Sequence, residues 1–250
     1  MNNFTLLIQG PILRNLITMC DMQKHMETVV STWIHPRVDN EVMLFYRTNL
    51  RPIINEIPNL EGVYNEQNRY LQFVSTYAGL NEVDTEYVIK IRSDEYYSNL
   101  MPAIEKFLEN PNKILTSNIF FRKTSYLRYH PSDHIIIAKT QLLREVYENC
   151  IAECELNGEN LDRGVFNQTP TQIVPEQQFA MTSILKLEKE SFKFQTQPKK
   201  VNAIMKKHFD VINVGELGNF CVSAKRYGKF TNNFNFINPK LDIIKSLDEL

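Results

Sequence analysis

The sequence predicts an α/β domain with a mostly parallel central sheet flanked by helices. Three observations carry this. Short apolar runs of strand length alternate with helix-period segments through the first half. The run Tyr87–Arg92 is apolar at almost every position, as expected of a strand covered on both faces. No internal repeat or low-complexity linker breaks the pattern, so residues 1–250 read as one domain.

The elements follow in order. Residues 4–8 (Phe-Thr-Leu-Leu-Ile) form a buried strand that ends at Gln9, Gly10 and Pro11. Met19, Met22, Met26, Val29, Val30 and Trp33 recur at helical steps, with Thr18 or Asp21 as cap and Pro36 as stop. Residues 41–46 are a second strand, and Pro52 and Pro58 mark a loop-rich stretch to about Gly62. A helix follows over about 66–80, with Tyr70, Phe73, Val74, Tyr77 and Leu80 on its inner side. The strand over 86–92 runs into Ser93, Asp94 and Glu95. Pro102 opens a helix that ends near Asn110 and Pro111. Strands are expected over 113–121 and 134–138, then an amphipathic helix through Leu142, Leu143, Val146, Tyr147, Cys150, Ile151 and Cys154. Residues 156–171 read as a surface loop, and Pro175 starts a helix to about Lys189. Late strands are expected over 210–214 and 219–224, and a short amphipathic segment over 241–247.

Composition narrows the function. The chain has 250 residues, 23% charged and 43% hydrophobic, with a formal net charge of -1. That is too apolar for a disordered chain. It lacks the positive excess that nucleic-acid binding needs, so no nucleic-acid partner is expected. No run reaches the about 20 apolar residues of a membrane span, and no basic flank precedes the first strand. The four cysteines, Cys20, Cys150, Cys154 and Cys221, read as reduced thiols; a cytoplasmic location is expected, the host cytoplasm if the source is viral. Glycine is scarce, at 8 residues, and neither G-x-G-x-x-G nor a P-loop is present. G-x-S-x-G, HExxH and paired-cysteine zinc patterns are also missing.

Ligands of open α/β sheets bind beyond the carboxyl ends of the strands. Arg92, Ser93, Asp94 and Glu95 occupy such an end. A carboxylate pair there suits a hard divalent cation bridging to a diphosphate, with Lys90 and Arg92 offsetting phosphate charge. The same string also reads as a solvated turn with Asp94 as a cap. Glu176, behind Pro175 at a helix start, reads either as compensation of the helix dipole or as a general base. His130 and His134 have zinc spacing, but Pro131 and the β-branched run after them oppose a helix, and Asp133 is the better candidate at a site edge. Asn65, Gln67, Asn68 and Arg69 crowd a helix start, either as caps or with Arg69 reaching a phosphate or sugar. The pairs Lys199–Lys200 and Lys206–Lys207 read as solvated or weakly phosphate-attracting, with His208 as a possible member of a metal or diphosphate shell.

Several of these strings resemble a known family. Ile8-Gln9-Gly10-Pro11, then Asn68-Arg69 with Ser75-Thr76 and Gly79-Leu80, then Tyr87 through Asp94, resemble the WavE-type lipopolysaccharide-synthesis glycosyltransferases. Ser132-Asp133, Pro175-Glu176-Gln177 and Lys225-Arg226-Tyr227 are similar to its later blocks. Related enzymes occur in large DNA viruses. The resemblance implies a GT-A fold, with a donor half over 1–95 and an acceptor half over 96–250. It implies sugar transfer from a nucleotide-diphosphate sugar to a glycan hydroxyl, assisted by Mn²⁺ or Mg²⁺ and inverting. Asp94 matches the last residue of the family's Asp-x-Asp metal motif, Arg92 replaces the first, and Glu95 stands next in line to compensate. Glu176 matches the acidic base, with Asp133 as the alternative base. Gln9, Gly10 and Pro11 match the nucleotide-base pocket, and Arg69, Arg92 and Ser93 lie toward the diphosphate. A non-catalytic nucleotide-sugar or glycan-binding module is the alternative of another class; a metal-dependent nuclease or phosphatase would need more clustered carboxylates.

Overall fold

The computed structural model describes residues 2–11, 25–33, 52–156, 173–188, 192–222 and 247–249. Its centre is a seven-stranded sheet. The strands are β1 (Phe4–Gln9), β2 (Glu27–Trp33), β3 (Pro52–Asn55), β4 (Tyr87–Arg92), β6 (Ile114–Ser117), β7 (Ile135–Lys139) and β8 (Phe209–Ile212). Their spatial order is β3-β2-β1-β4-β7-β6-β8. Neighbours pair in parallel except at β7, which runs antiparallel to both β4 and β6. A two-stranded antiparallel sheet joins β5 (Glu95–Tyr97) to β9 (Phe220–Val222). The helices are α1 (Arg69–Asn81), α2 (Met101–Glu109), α3 (Thr140–Glu155), α4 (Pro175–Glu188) and α5 (Pro198–His208).

Strand alternation splits the core in two. Leu7, Val88, Ile136 and Ala138 face a layer that includes Phe73, Leu143, Tyr147 and Phe179 from α1, α3 and α4. Leu6, Ile8, Ile89, Ile91, Ile135 and Ile137 face the other way, against Ala103, Ile104 and Phe107 of α2. This double coverage is why β4 and β7 carry apolar residues at successive positions. Gly79 lets α1 close on the sheet: a Cβ there would lie 2.4 Å from Leu7 Cδ1 and 3.0 Å from the Ser31 Cβ.

Three expectations need correction. Val29, Val30 and Trp33 belong to strand β2, not to a helix. In a buried parallel strand both faces are apolar, and Val29 and Val30 satisfy the helical template by accident. Pro52 opens strand β3 instead of a loop, because proline is tolerated at the first residue of an edge strand. The segment 198–208 adds helix α5, opened by Pro198 in its first turn. The strand expected over 113–121 is shorter, since the chain turns through Phe120 at φ 59. The Met19 and Met22 stripe with its caps, Pro36, the strand over 41–46, most of the loop over 156–171, Lys225–Tyr227 and most of the tail segment lie outside the described residues. Cys150 and Cys154 are buried on the inner face of α3.

Candidate active site at the strand mouths

The parallel strands deliver their carboxyl ends to one rim. Gln9 stands level with Arg92 on adjacent strands, and Ser93 N donates to the Gln9 carbonyl at 2.9 Å. Gly10, at φ 131, passes so close to β4 that a Cβ would lie 2.5 Å from Ser93 Oγ. Gln9 Nε2 donates to Ser75 Oγ at 2.8 Å, which ties the β1 exit to α1. The base-pocket expectation for Gln9, Gly10 and Pro11 thus falls on one rim, with the Gln9 amide nitrogen already engaged.

Because β7 is reversed, its beginning reaches the same rim and brings Asp133 and His134 beside β4. Arg92 sits among three carboxylates. Its Nε and Nη2 each lie 3.0 Å from the two Asp94 oxygens, its Nε lies 3.3 Å from Glu95 Oε1, and its Nη1 lies 3.6 Å from Asp133 Oδ2. Burial opposes the guanidinium charge, but Asp133, Asp94 and Glu95 outweigh it and raise the Arg92 pKa. One strand turn deeper, on the same face, Lys90 is buried and donates from Nζ to the Asp133 carbonyl at 2.8 Å. Burial pulls the Lys90 pKa down.

The metal expectation divides. Glu95 is buried, its Oε2 accepts from Tyr97 OH at 2.7 Å, and its Oε1 bonds His134 Nδ1. Those bonds turn Glu95 into the protein, so it does not serve as an open ligand beside Asp94. Asp94 is partly exposed at the rim and shares its carboxylate with Arg92. Among the described residues, no group of three or more His, Cys, Asp or Glu side chains gathers as a ligand set.

Glu176 enters from α4. It shares one cavity, with an empty volume of about 270 Å³ including its open mouth, with Thr76, Lys90, Asp133 and Tyr147. Burial first, then the neighbouring Asp133 charge, pushes the Glu176 carboxyl up to about 7. Burial would raise the Asp133 carboxyl too, but Lys90, Arg92 and His134 outweigh it and hold it below the usual range. Two carboxyls in one cavity are therefore driven apart: one stays ionised and one titrates near neutrality. His130 Nε2 lies 4.0 Å from Glu176 Oε2, and burial lowers its pKa to about 4, so it stays neutral.

Arg69 corrects a further expectation. Its side chain is fully buried, donates to Gln178 Oε1 at 3.1 Å and to the Ile173 carbonyl, and lies 4.7 Å from the Tyr64 ring centre. It fastens the start of α4 and does not face the rim. Gln177 and Gln178 do the same work. Gln177 Nε2 donates to the Arg128 carbonyl at 2.8 Å; Gln178 Nε2 donates to the Cys150 carbonyl at 3.1 Å and to Glu153 Oε2 at 3.0 Å. The signal in sequence was two amides, both buried, behind Pro175 and Glu176. His208 bonds Glu188 at 2.6 Å, between the ends of α5 and α4, and joins neither the rim nor a ligand shell there.

The site therefore sits where a mostly parallel α/β sheet with one reversed strand gathers Asp94 and Asp133 at its strand mouths. The chain belongs to the family described as WavE lipopolysaccharide synthesis, whose model matches residues 4–222. No curated protein matches. Among solved structures, Staphylococcus aureus TarS is similar at a TM-score of 0.42 and 13% identity, covering 72% of this chain and 33% of that one. The TarS 1–349 structure in complex with UDP-GlcNAc gives 0.41 and 13%, covering 82% and 65%. Glucosyl-3-phosphoglycerate synthase from Mycobacterium tuberculosis, in complex with Mn²⁺, UDP and phosphoglyceric acid, gives 0.40 and 12%, covering 64% of each chain. This chain spans about a third of the length of TarS. No helix among the described residues is long and apolar enough to cross a membrane.

Proposed function

We propose that the chain is an inverting, metal-assisted glycosyltransferase that moves a sugar from a nucleotide-diphosphate donor to a glycan hydroxyl. The observation that carries this is the shared cavity of Glu176, Asp133 and Lys90, tied to Asp94 at the mouth of β4 by Arg92, which lies 3.6 Å from Asp133 and 3.0 Å from Asp94. Gly10 and Pro11 line the base end of the rim, and residues 1–95 form the donor half, with the acceptor half after them. Glu176 accepts the proton of the acceptor hydroxyl as its oxygen bonds to the anomeric carbon. The bond from that carbon to the donor phosphate oxygen breaks in the same step. A carboxyl near 7 suits this role at neutral pH. Asp133 stays ionised and, by its charge, keeps Glu176 basic enough to act. Asp94 fits Mn²⁺ or Mg²⁺, since such ions need only one or two protein carboxylates besides substrate phosphates. When bound, the ion supplies positive charge for the departing diphosphate. Arg92 lies beside Asp94 and steadies it.

The test is direct. Glu176→Gln should lose transfer by about 10²–10⁴-fold while a nucleotide sugar with Mn²⁺ still raises the melting temperature. Asp94→Ala should lose that Mn²⁺-dependent shift. Unchanged transfer in Glu176→Gln moves the base to Asp133; an unchanged shift in Asp94→Ala removes the metal role. One observation favours a second reading, a binding module without catalysis: Arg92 stands where the family's first aspartate would be and holds Asp94 at 3.0 Å. Calorimetry with donor binding but no transfer or hydrolysis would support that module.

A further inference from the structure

We propose that Arg92 is the counter-ion that a divalent cation has to displace from Asp94, and that Glu95 and Asp133 are placed to receive it. This rests on the metal role proposed above for Asp94 and specifies what the ion must move. Arg92 and Asp94 form a side-on fork, in which Nε and Nη2 each donate to one Asp94 oxygen at 3.0 Å. A Mn²⁺ or Mg²⁺ ion at Asp94 needs one of those oxygens, so two cations compete for one carboxylate.

The arginine has somewhere to go. Its Nε already lies 3.3 Å from Glu95 Oε1, and its Nη1 lies 3.6 Å from Asp133 Oδ2. A shift of about 1 Å tightens both contacts to good hydrogen-bond lengths. Both receivers are anchored. Glu95 is buried, with Oε2 accepting from Tyr97 OH at 2.7 Å and Oε1 bonded to His134 Nδ1. Asp133 is held through its main-chain carbonyl, which accepts from Lys90 Nζ at 2.8 Å. Arg92 and Asp94, the pair that has to part, are both partly exposed at the rim.

The exchange strands no charge. Asp94 gains the ion and Arg92 keeps two carboxylates, so neither is left as the unpaired charge that makes a broken ion pair costly. It also has a direction. Asp133 shares the cavity of Glu176, so an arginine that leaves Asp94 for Asp133 carries the arrival of the ion to the other end of the site. Arg92 is thus a positioning residue, and its effect is read in cation affinity. The fork sets a threshold as well, because the fraction of molecules with Asp94 open scales the apparent affinity.

Mn²⁺ alone is the probe, titrated into the full chain and followed by the paramagnetic resonance of the free ion. Arg92→Gln should bind Mn²⁺ about tenfold or more tightly than wild type, because the competing fork is gone. Arg92→Lys keeps the charge without the fork and should gain about threefold or more. Asp94→Ala should lose the site; Mn²⁺ binding retained there overturns the metal role and the exchange with it. Asp133→Asn removes a receiver and should weaken Mn²⁺ binding about threefold in wild type, and by less in the Arg92→Gln background. Urea midpoints check that each variant folds, and Arg92→Lys carries the test if Arg92→Gln does not. Equal or weaker Mn²⁺ binding in both Arg92 variants overturns the exchange, as does a gain confined to Arg92→Gln, which is plain charge repulsion. Equal effects of Asp133→Asn in the two backgrounds overturn Asp133 as a receiver. Thermal shifts with UDP and with GDP are read in parallel. A nucleotide shift without the Mn²⁺ gain overturns the exchange alone; the gain without any nucleotide shift overturns the glycosyltransferase reading instead.

Discussion

Replacing Arg69 by methionine should loosen the first turn of α4 and cost stability while donor affinity stays the same. The guanidinium is fully buried and bonds Gln178 and the Ile173 carbonyl, with the Tyr64 ring 4.7 Å away. Each hydrogen bond from a charged group contributes about 1.5–3 kcal/mol, and the ring contact about 1–2 kcal/mol. Much of that gain is offset by the several kcal/mol that burying a charge costs, and this cost vanishes with the charge. What stays behind in Arg69→Met is two buried acceptors that lose their donor, at about 1–3 kcal/mol each. The net loss should be about 3 kcal/mol, read as a lower urea midpoint at unchanged slope. Arg69→Lys keeps the charge but not the planar fork, and should fall between the two. A variant within about 1 kcal/mol of wild type, but with donor affinity reduced tenfold, would refute this reasoning and return Arg69 to the diphosphate.

Glu176→Gln should be more stable than wild type at pH 8, by on the order of 2 kcal/mol, and equal to it near pH 4. The sign follows from the raised folded pKa. Glu176 costs the fold nothing while both states hold its proton, and the cost builds as pH rises from the ordinary carboxyl value of 4.5 to about 7, staying constant above that. Denaturant melts at both pH values check it, and a less stable variant at pH 8 contradicts it. Asp133→Asn should move the acid limb of kcat/KM, set by Glu176, to lower pH by on the order of one unit, since the charge that raises Glu176 is gone; a limb that moves up would contradict the assignment. Gly79→Ala should destabilise by about 1–3 kcal/mol, because the new methyl lands 2.4 Å from Leu7 Cδ1; thermal melts read this.

The sequence shows some of this architecture and conceals the rest for identifiable reasons. The strand Tyr87–Arg92 and helix α3 were plain, because a continuous apolar run and a clean helical stripe each have one good interpretation. Strand β2 was not, because Val29 and Val30 fit a helical spacing with upstream methionines as well as they fit a buried strand. Helix α5 was hidden by its lysines, which break no rule for a helix but offer little apolar signal beyond Val201, Ile204 and Met205. At the site, Asp133 and Glu176 could be picked out as isolated acids beside a strand and a helix start. Their shared cavity could not, since it depends on β7 running backwards. Glu95 and Arg69 show one limit of sequence: a polar side chain beside a motif looks available, and its depth is not written in the motif. Both are buried and bonded within the protein.

The reversed strand has a mechanical consequence. Five residue pairs, from Tyr87 with Lys139 to Ile91 with Ile135, stitch the strands β1 to β4 to the strands β6 to β8. The ladder continues without a break from β3 to β8. No hinge therefore separates the two halves within the sheet, and they cannot close on a substrate as rigid jaws. Any gating of water from the rim has to come from segments outside the sheet. Changes to those segments should alter turnover and leave Asp94 and Asp133, which follow and precede paired strands, where the sheet sets them.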